Sequence, residues 1–146
     1  MDHDRRTRLL GVVLVAGVIE SLVHYTDNTI RYDDYVSDHP TFPATIIERW
    51  VIPVSWVLFT VVAVAAYRAY RDRRFPRAAA LLAVYSVSGL VSLGHFVDIS
   101  PSHLSLFQNV FVFGDVALGV VILTIAVLIA LRPPEPAEVG EPVEVG

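Results

Sequence analysis

Apolar residues fall into four long blocks along this sequence, and the polar residues gather between them. The blocks cover about 9–26, 51–70, 78–97 and 104–131, each long enough to cross the hydrocarbon core of a bilayer as a helix. This pattern predicts an all-α fold: an integral membrane four-helix bundle over residues 1–132, followed by a disordered acidic tail at 133–146. Local signals mark the helix starts. Thr45-Ile46-Ile47-Glu48 reads as a capping box ahead of the second block, and Ser100-Pro101 as an N-cap and first helical position ahead of the fourth. Trp50 and Trp56 sit where an aromatic belt would hold the second helix, with Pro53 allowing a bend. The first block has an alternative reading as a cleaved signal peptide led by Arg5–Arg8, but no small-x-small cleavage pattern follows it, and Glu20 interrupts its end.

Four crossings return the chain to the side where it started. All eleven basic residues are arginine, and nine lie at the N-terminus (Arg5, Arg6, Arg8), between the second and third blocks (Arg68, Arg71, Arg73, Arg74, Arg77) or just after the fourth (Arg132). Short cytoplasmic segments carry such an excess. Both termini are therefore expected in the cytoplasm, in a multi-pass protein of the cell membrane. The connection Asn28–Ile47, which holds Asp33, Asp34, Asp38, Tyr32 and Tyr35, is long enough to fold over the outer mouth of the bundle.

Composition sharpens the exclusions. With 54% apolar residues, 18% charged residues and a mean hydropathy of +0.56, a water-soluble globule is not expected. The absence of cysteine removes disulfides, CxxC redox centres, iron–sulfur clusters and thiolate zinc sites. Nucleic acid is not expected as a partner. The arginine clusters are explained by topology, and their natural neighbours are the lipid bilayer and its anionic headgroups.

One internal match stands out. Ser21-Leu22-Val23-His24-Tyr25-Thr26-Asp27 and Ser92-Leu93-Gly94-His95-Phe96-Val97-Asp98 share the pattern S-L-x-H-aromatic-x-D at the outer ends of the first and third helices. Read as a repeat, it makes the protein two tandem transmembrane hairpins whose histidine-bearing ends face each other. Helical spacing puts Gly17, Glu20, His24 and Asp27 on one stripe of the first helix, Ser88, Ser92, His95 and Asp98 on one stripe of the third, and Gln108, Asp115 and Gly119 on one stripe of the fourth. The second helix offers only Ser55 and Thr60, so its expected role is packing.

An ionisable group in hydrocarbon is costly and by default functional. At 1.5 Å per residue Glu20 lies about 9 Å below the outer boundary and Asp115 roughly 13–16 Å. With no basic residue alongside, each calls for a protonated carboxyl, a histidine partner or a cation. All these groups lie in the outer half, which suits a pocket between helices 1, 3 and 4, open outward and blind at its base, better than a channel.

Three functions fit that pocket. In the first, His24, His95, Asp27, Asp98 and Glu20 bind a divalent transition metal, or His24 and His95 hold a haem between Tyr25 and Phe96. The second is a membrane enzyme in which Glu20 or Asp115 donates a proton to a lipid-like substrate while a histidine acts as base. The third is a non-catalytic subunit, binding a hydrophobic small molecule or assembling as a homo- or hetero-oligomer, whose polar groups and small residues Gly17, Gly89, Gly114 and Gly119 hold helices together. His103 is at most a rim ligand, Asn109 lies off the polar face, and His3 and His39 have no supporting neighbours.

Overall fold

The structure, a computed structural model, describes residues 2–36 and 48–131. Four helices are long and apolar enough to cross a membrane, over His3–Ile30, Val51–Arg71, Phe75–Val97 and Leu106–Leu131, and there is no strand among the described residues.

Helix α1 (His3–Ile30) starts six residues before its apolar block, because the Asp2 carboxylate accepts from the Arg5 amide at 2.7 Å and caps the first turn. It continues through Asn28–Ile30, which the apolar pattern assigns to the outer connection, and ends at a short 3-10 turn, Tyr32–Asp34. In α2 (Val51–Arg71) Pro53 falls in the first turn, where its missing N–H breaks no helical hydrogen bond. A tight turn then leads to α3 (Phe75–Leu90), which carries Pro76 at its start. The third apolar block is not one α-helix. It passes at Val91–Gly94 into 3-10 geometry and then into a single α-turn, α4 (His95–Asp98).

The fourth helix, α5 (Leu106–Leu131), also starts differently from expectation. Ser100 caps a separate 3-10 turn, Pro101–His103, by accepting from the Ser102 amide. The cap of α5 is Ser105: its Oγ accepts from the Gln108 amide at 3.2 Å, and Gln108 Oε1 accepts from the Ser105 amide at 2.8 Å. That is a reciprocal capping box, Ser105-Leu106-Phe107-Gln108. The proposed capping box at Thr45–Glu48, His39 and the tail at 133–146 lie wholly or largely outside the described residues.

Packing is closest where α3 crosses α5. A Cβ at Gly89 would collide with the Asp115 carbonyl, and one at Gly119 would sit 3.0 Å from the Ser86 carbonyl oxygen, so the two backbones touch through glycine. Toward the termini a dry core of Leu10, Leu14, Ala66, Ala78, Leu82 and Ile122 joins all four long helices. The outside of the bundle is apolar, with Val12, Ile19, Leu58, Val61, Phe113 and Leu128 exposed, as on a surface that meets lipid. The two S-L-x-H-aromatic-x-D copies have different backbones. The first lies inside α1 and the second runs from a 3-10 turn into α4, so the structure does not support a hairpin repeat.

The glycine crossing gives a direct test. Gly89→Ala forces the two backbones apart and is expected to cost about 1–3 kcal/mol, as overpacking does. At Gly94 an added Cβ meets nothing within 4 Å, and Gly94→Ala should be neutral or slightly stabilising. Unfolding midpoints of the two variants in one detergent separate these outcomes.

Candidate functional site

Thr7, Leu10, Leu14, Gly17, Ser21, His24 and Asn28 form the buried stripe of α1. Their alternating three- and four-residue steps hold one side of the helix against the bundle. His24 is almost completely buried, at 1% exposure. From the other side comes His95, whose ring centroid lies 5.5 Å from that of His24, edge to face. The two histidines expected to confront each other therefore do so.

Tyr35 closes the mouth above them. The phenol is 2% exposed, and its ring packs 4.8 Å from His95 and 6.0 Å from His24. Its hydroxyl donates to Asp27 Oδ2 at 2.9 Å, and Arg31 pairs with the other oxygen of Asp27 at 3.4 Å. The described part of the outer connection thus folds over the bundle as its length suggested. On the flank, the Asn28 amide nitrogen lies 3.1 Å from His95 Nε2, where it can donate to the neutral ring. His24 Nδ1 is buried with no hydrogen-bond partner among the described residues.

A cavity of about 240 Å³ opens beside these rings. Its wall includes His24, Asn28, Tyr35 and His95, together with Ile52, Ser55 and Phe59 from α2. The location corrects the expected one: the pocket lies between the first, second and third long helices, and α2 forms a wall of it. The fourth long helix contributes to a different polar layer. There Ser92 donates to Asp115 Oδ2 at 3.0 Å. Glu20 turns from His24 toward α5, so close to Gly114 that a Cβ there would meet Glu20 Oε1 at 2.7 Å, and neighbours Asp115. Both Glu20 oxygens are buried and accept no hydrogen bond of good geometry among the described residues.

The five residues named as metal ligands are therefore not brought to one point. His24 and His95 meet, Asp27 is engaged by Tyr35 and Arg31, and Glu20 belongs to the acid layer. Asp98 ends α4, and its side chain lies outside the described residues. Among the described residues no group of three or more histidine, aspartate or glutamate side chains could hold a metal ion. Edge-to-face rings 5.5 Å apart, with Tyr35 packed on both, leave no slot for a haem macrocycle between them. Gln108 completes the capping box of α5 with Ser105 and donates to Asp34 Oδ2 at 3.3 Å. Asn109 binds the Pro101 and Leu104 carbonyls, and His103 is exposed. His3, unassigned from sequence, stacks on Tyr70 at the opposite end of the bundle.

Asn28 and Tyr35 are the contributors that the polar stripes did not include. Asn28 follows His24 by one helical turn, a spacing visible in the sequence. No local signal brings Tyr35 to the imidazoles, because that contact depends on the path of the chain after α1.

Tyr35 also yields a pH prediction. Burial, then the hydrogen bond to Asp27 and its charge, push the phenol above its ordinary range. The folded state therefore holds the phenolic proton more tightly than the unfolded chain. This contribution to stability is complete below about pH 10 and is lost as pH rises through the folded value. Absorbance titration of the folded protein should show a late-ionising phenol fraction that falls by one tyrosine in Tyr35→Phe; an unchanged late fraction would place Tyr35 in solvent.

No family model matches this chain, and neither the curated proteins nor the solved structures compared with it provide a match.

Proposed function

We propose that this is a multi-pass protein of the cell membrane, with both termini cytoplasmic, and that its outer pocket binds a small, mostly apolar molecule bearing one polar group. The observation carrying this reading is the state of His24: a nearly inaccessible imidazole on the wall of a cavity, with one ring nitrogen unpartnered among the described residues. Leaving a buried polar atom unpaired costs about 1–3 kcal/mol, and a ligand hydrogen-bonded to it removes that cost. The walls suit such a molecule. Ile52, Phe59, Val87 and Val91 supply apolar surface, while His24, Asn28 and His95 converge at one side, the usual composition of a ligand pocket. At about 240 Å³ the cavity lies below the ~300–1,000 Å³ range for drug-sized ligands, so the occupant is compact.

Charge argues in the same direction. Among the described residues no arginine lines this pocket, and Asp27, which accepts from the Tyr35 hydroxyl, already has two partners. A neutral ligand enters without leaving a charge unpaired in an apolar wall.

A second reading rests on the imidazole pair itself. Ring centroids 5.5 Å apart allow both histidines to turn a nitrogen toward one borderline metal ion, with the Asn28 carbonyl beside them. That geometry requires His95 to give up its contact with the Asn28 amide, so it ranks second.

Native mass spectrometry and elemental analysis of detergent-purified protein decide between them. The first reading expects a co-purifying organic molecule, released by solvent and lost in His24→Leu. The second expects stoichiometric metal, lost in a His24→Ala, His95→Ala double variant. If His24→Leu loses nothing and instead gains about 1–3 kcal/mol of stability, as removal of an orphaned buried polar atom would, neither ligand is bound.

A further inference from the structure

At the opposite end of the bundle, the turn between α2 and α3 forms a second recess, unconnected with the histidine pocket. It has a volume of about 460 Å³ and is lined by Val61, Val64 and Ala65 below and by Arg68, Arg74 and Arg77 above. We propose that this groove binds an anionic phospholipid, with the guanidinium groups on its phosphate headgroup and the upper part of an acyl chain against the valine floor. The inference rests on the membrane-spanning reading of the four helices and not on the ligand proposed for the outer pocket.

The groove follows from the local sequence. Helix α2 ends at Arg71, and the chain reverses through Arg73, whose φ of 59° lies in the left-handed region. A side chain rarely adopts that conformation without glycine. The Arg74 amide then donates to the Ala69 carbonyl at 2.8 Å, which pins the turn back on α2. Arg74 and Arg77 are thereby brought to the same recess as Arg68.

Charge complementarity identifies the occupant. The acid in the groove, Asp72, is paired with Arg71 at 3.3 Å. Arg68, Arg74 and Arg77 make no ion pair among the described residues. The cationic rim therefore exceeds the local negative charge, and guanidinium groups match phosphate oxygens in geometry. Below the rim the α2 wall runs from Arg68 to Thr60, about 12 Å along the helix axis, and Val61 and Val64 on it are 62% and 46% exposed. A phosphate group directly above exposed apolar surface is the arrangement a phospholipid offers and a soluble anion does not. A zwitterionic lipid presents the same phosphate with an attached ammonium, which the arginines repel.

The test uses the full chain in detergent, with phosphatidylglycerol and phosphatidylcholine as probes and native mass spectrometry as readout. Wild-type protein is expected to retain phosphatidylglycerol in preference to phosphatidylcholine. The triple variant Arg68→Gln, Arg74→Gln, Arg77→Gln should lose about a hundredfold in that affinity. The control Arg5→Gln, Arg6→Gln, Arg8→Gln removes the same charge elsewhere at this end and should retain it. If the triple variant does not fold, Arg77→Gln alone, at an exposed position in the first turn of α3, should weaken binding about fivefold. Equal retention of both lipids, unchanged binding by the groove variants, or full displacement by inorganic phosphate would each overturn the proposal.

Discussion

The contact on which the rest of the arrangement depends is the glycine crossing of α3 and α5. With Gly89 against the Asp115 carbonyl and Gly119 against that of Ser86, the two helices approach as backbones and not through side chains. In apolar surroundings, where no hydrophobic force drives helices together, such close approach supplies the dispersion contact that holds them. It also bears on the histidine-bearing end of the bundle. Ser92, one turn beyond Gly89, is held against Asp115, and His95, three residues further on, meets His24 of α1.

Beyond the crossing, Val91–Gly94 has 3-10 geometry. Residues three apart eclipse in such a helix and stand about 6 Å apart along its axis, so Ser92 and His95 project on one side at two heights. That difference in height separates the buried polar groups into two layers. Glu20, Ser92 and Asp115 form an acid layer between α1, α3 and α5, and His24, Asn28, Tyr35 and His95 form an imidazole layer beside the cavity. The carboxylates and imidazoles are therefore not gathered at one level, whereas the donor set of a metal centre has to meet at a point.

This explains how far the sequence could be read. Block length was enough to anticipate the four long apolar helices, because it expresses the cost of polar groups in hydrocarbon. The confrontation of His24 and His95 was legible from their place near the ends of two helices that run in the same direction. Their chemical company was not. The stripe Ser88, Ser92, His95 gives a side of the helix and not the neighbour each residue meets: Ser92 bonds Asp115 on α5, while His95 meets His24 on α1. The start of α5 shows a different failure. Ser100-Pro101 and Ser105-Leu106-Phe107-Gln108 are both sound N-terminal signals, and both operate, one on a short turn and one on the helix. A local rule cannot decide which of two nearby caps leads into the longer element. The role of α2 was missed because a wall of Ile52, Ser55 and Phe59 has no ionisable residue to draw attention, although apolar surface is most of what a ligand pocket consists of.

The two ends of the bundle also bear on what kind of function is reasonable. A path for protons or ions needs polar groups from one surface to the other. Among the described residues the buried carboxyl and imidazole groups stop at Glu20 and Asp115, and Leu14, Leu82 and Ile122, 5%, 0% and 3% exposed, belong to the core toward the termini. Moving a charge through that core would mean stripping its hydration with nothing to replace it. A cavity with such packing at its base can hold a molecule that enters from the mouth. The arginine groove is separated from the histidine pocket by the same plug. Lipid bound at one end can then affect ligand at the other only through the helices joining them. The most rigid of those connections is the glycine contact between α3 and α5, and Ser92 and His95 both follow directly from it along the chain.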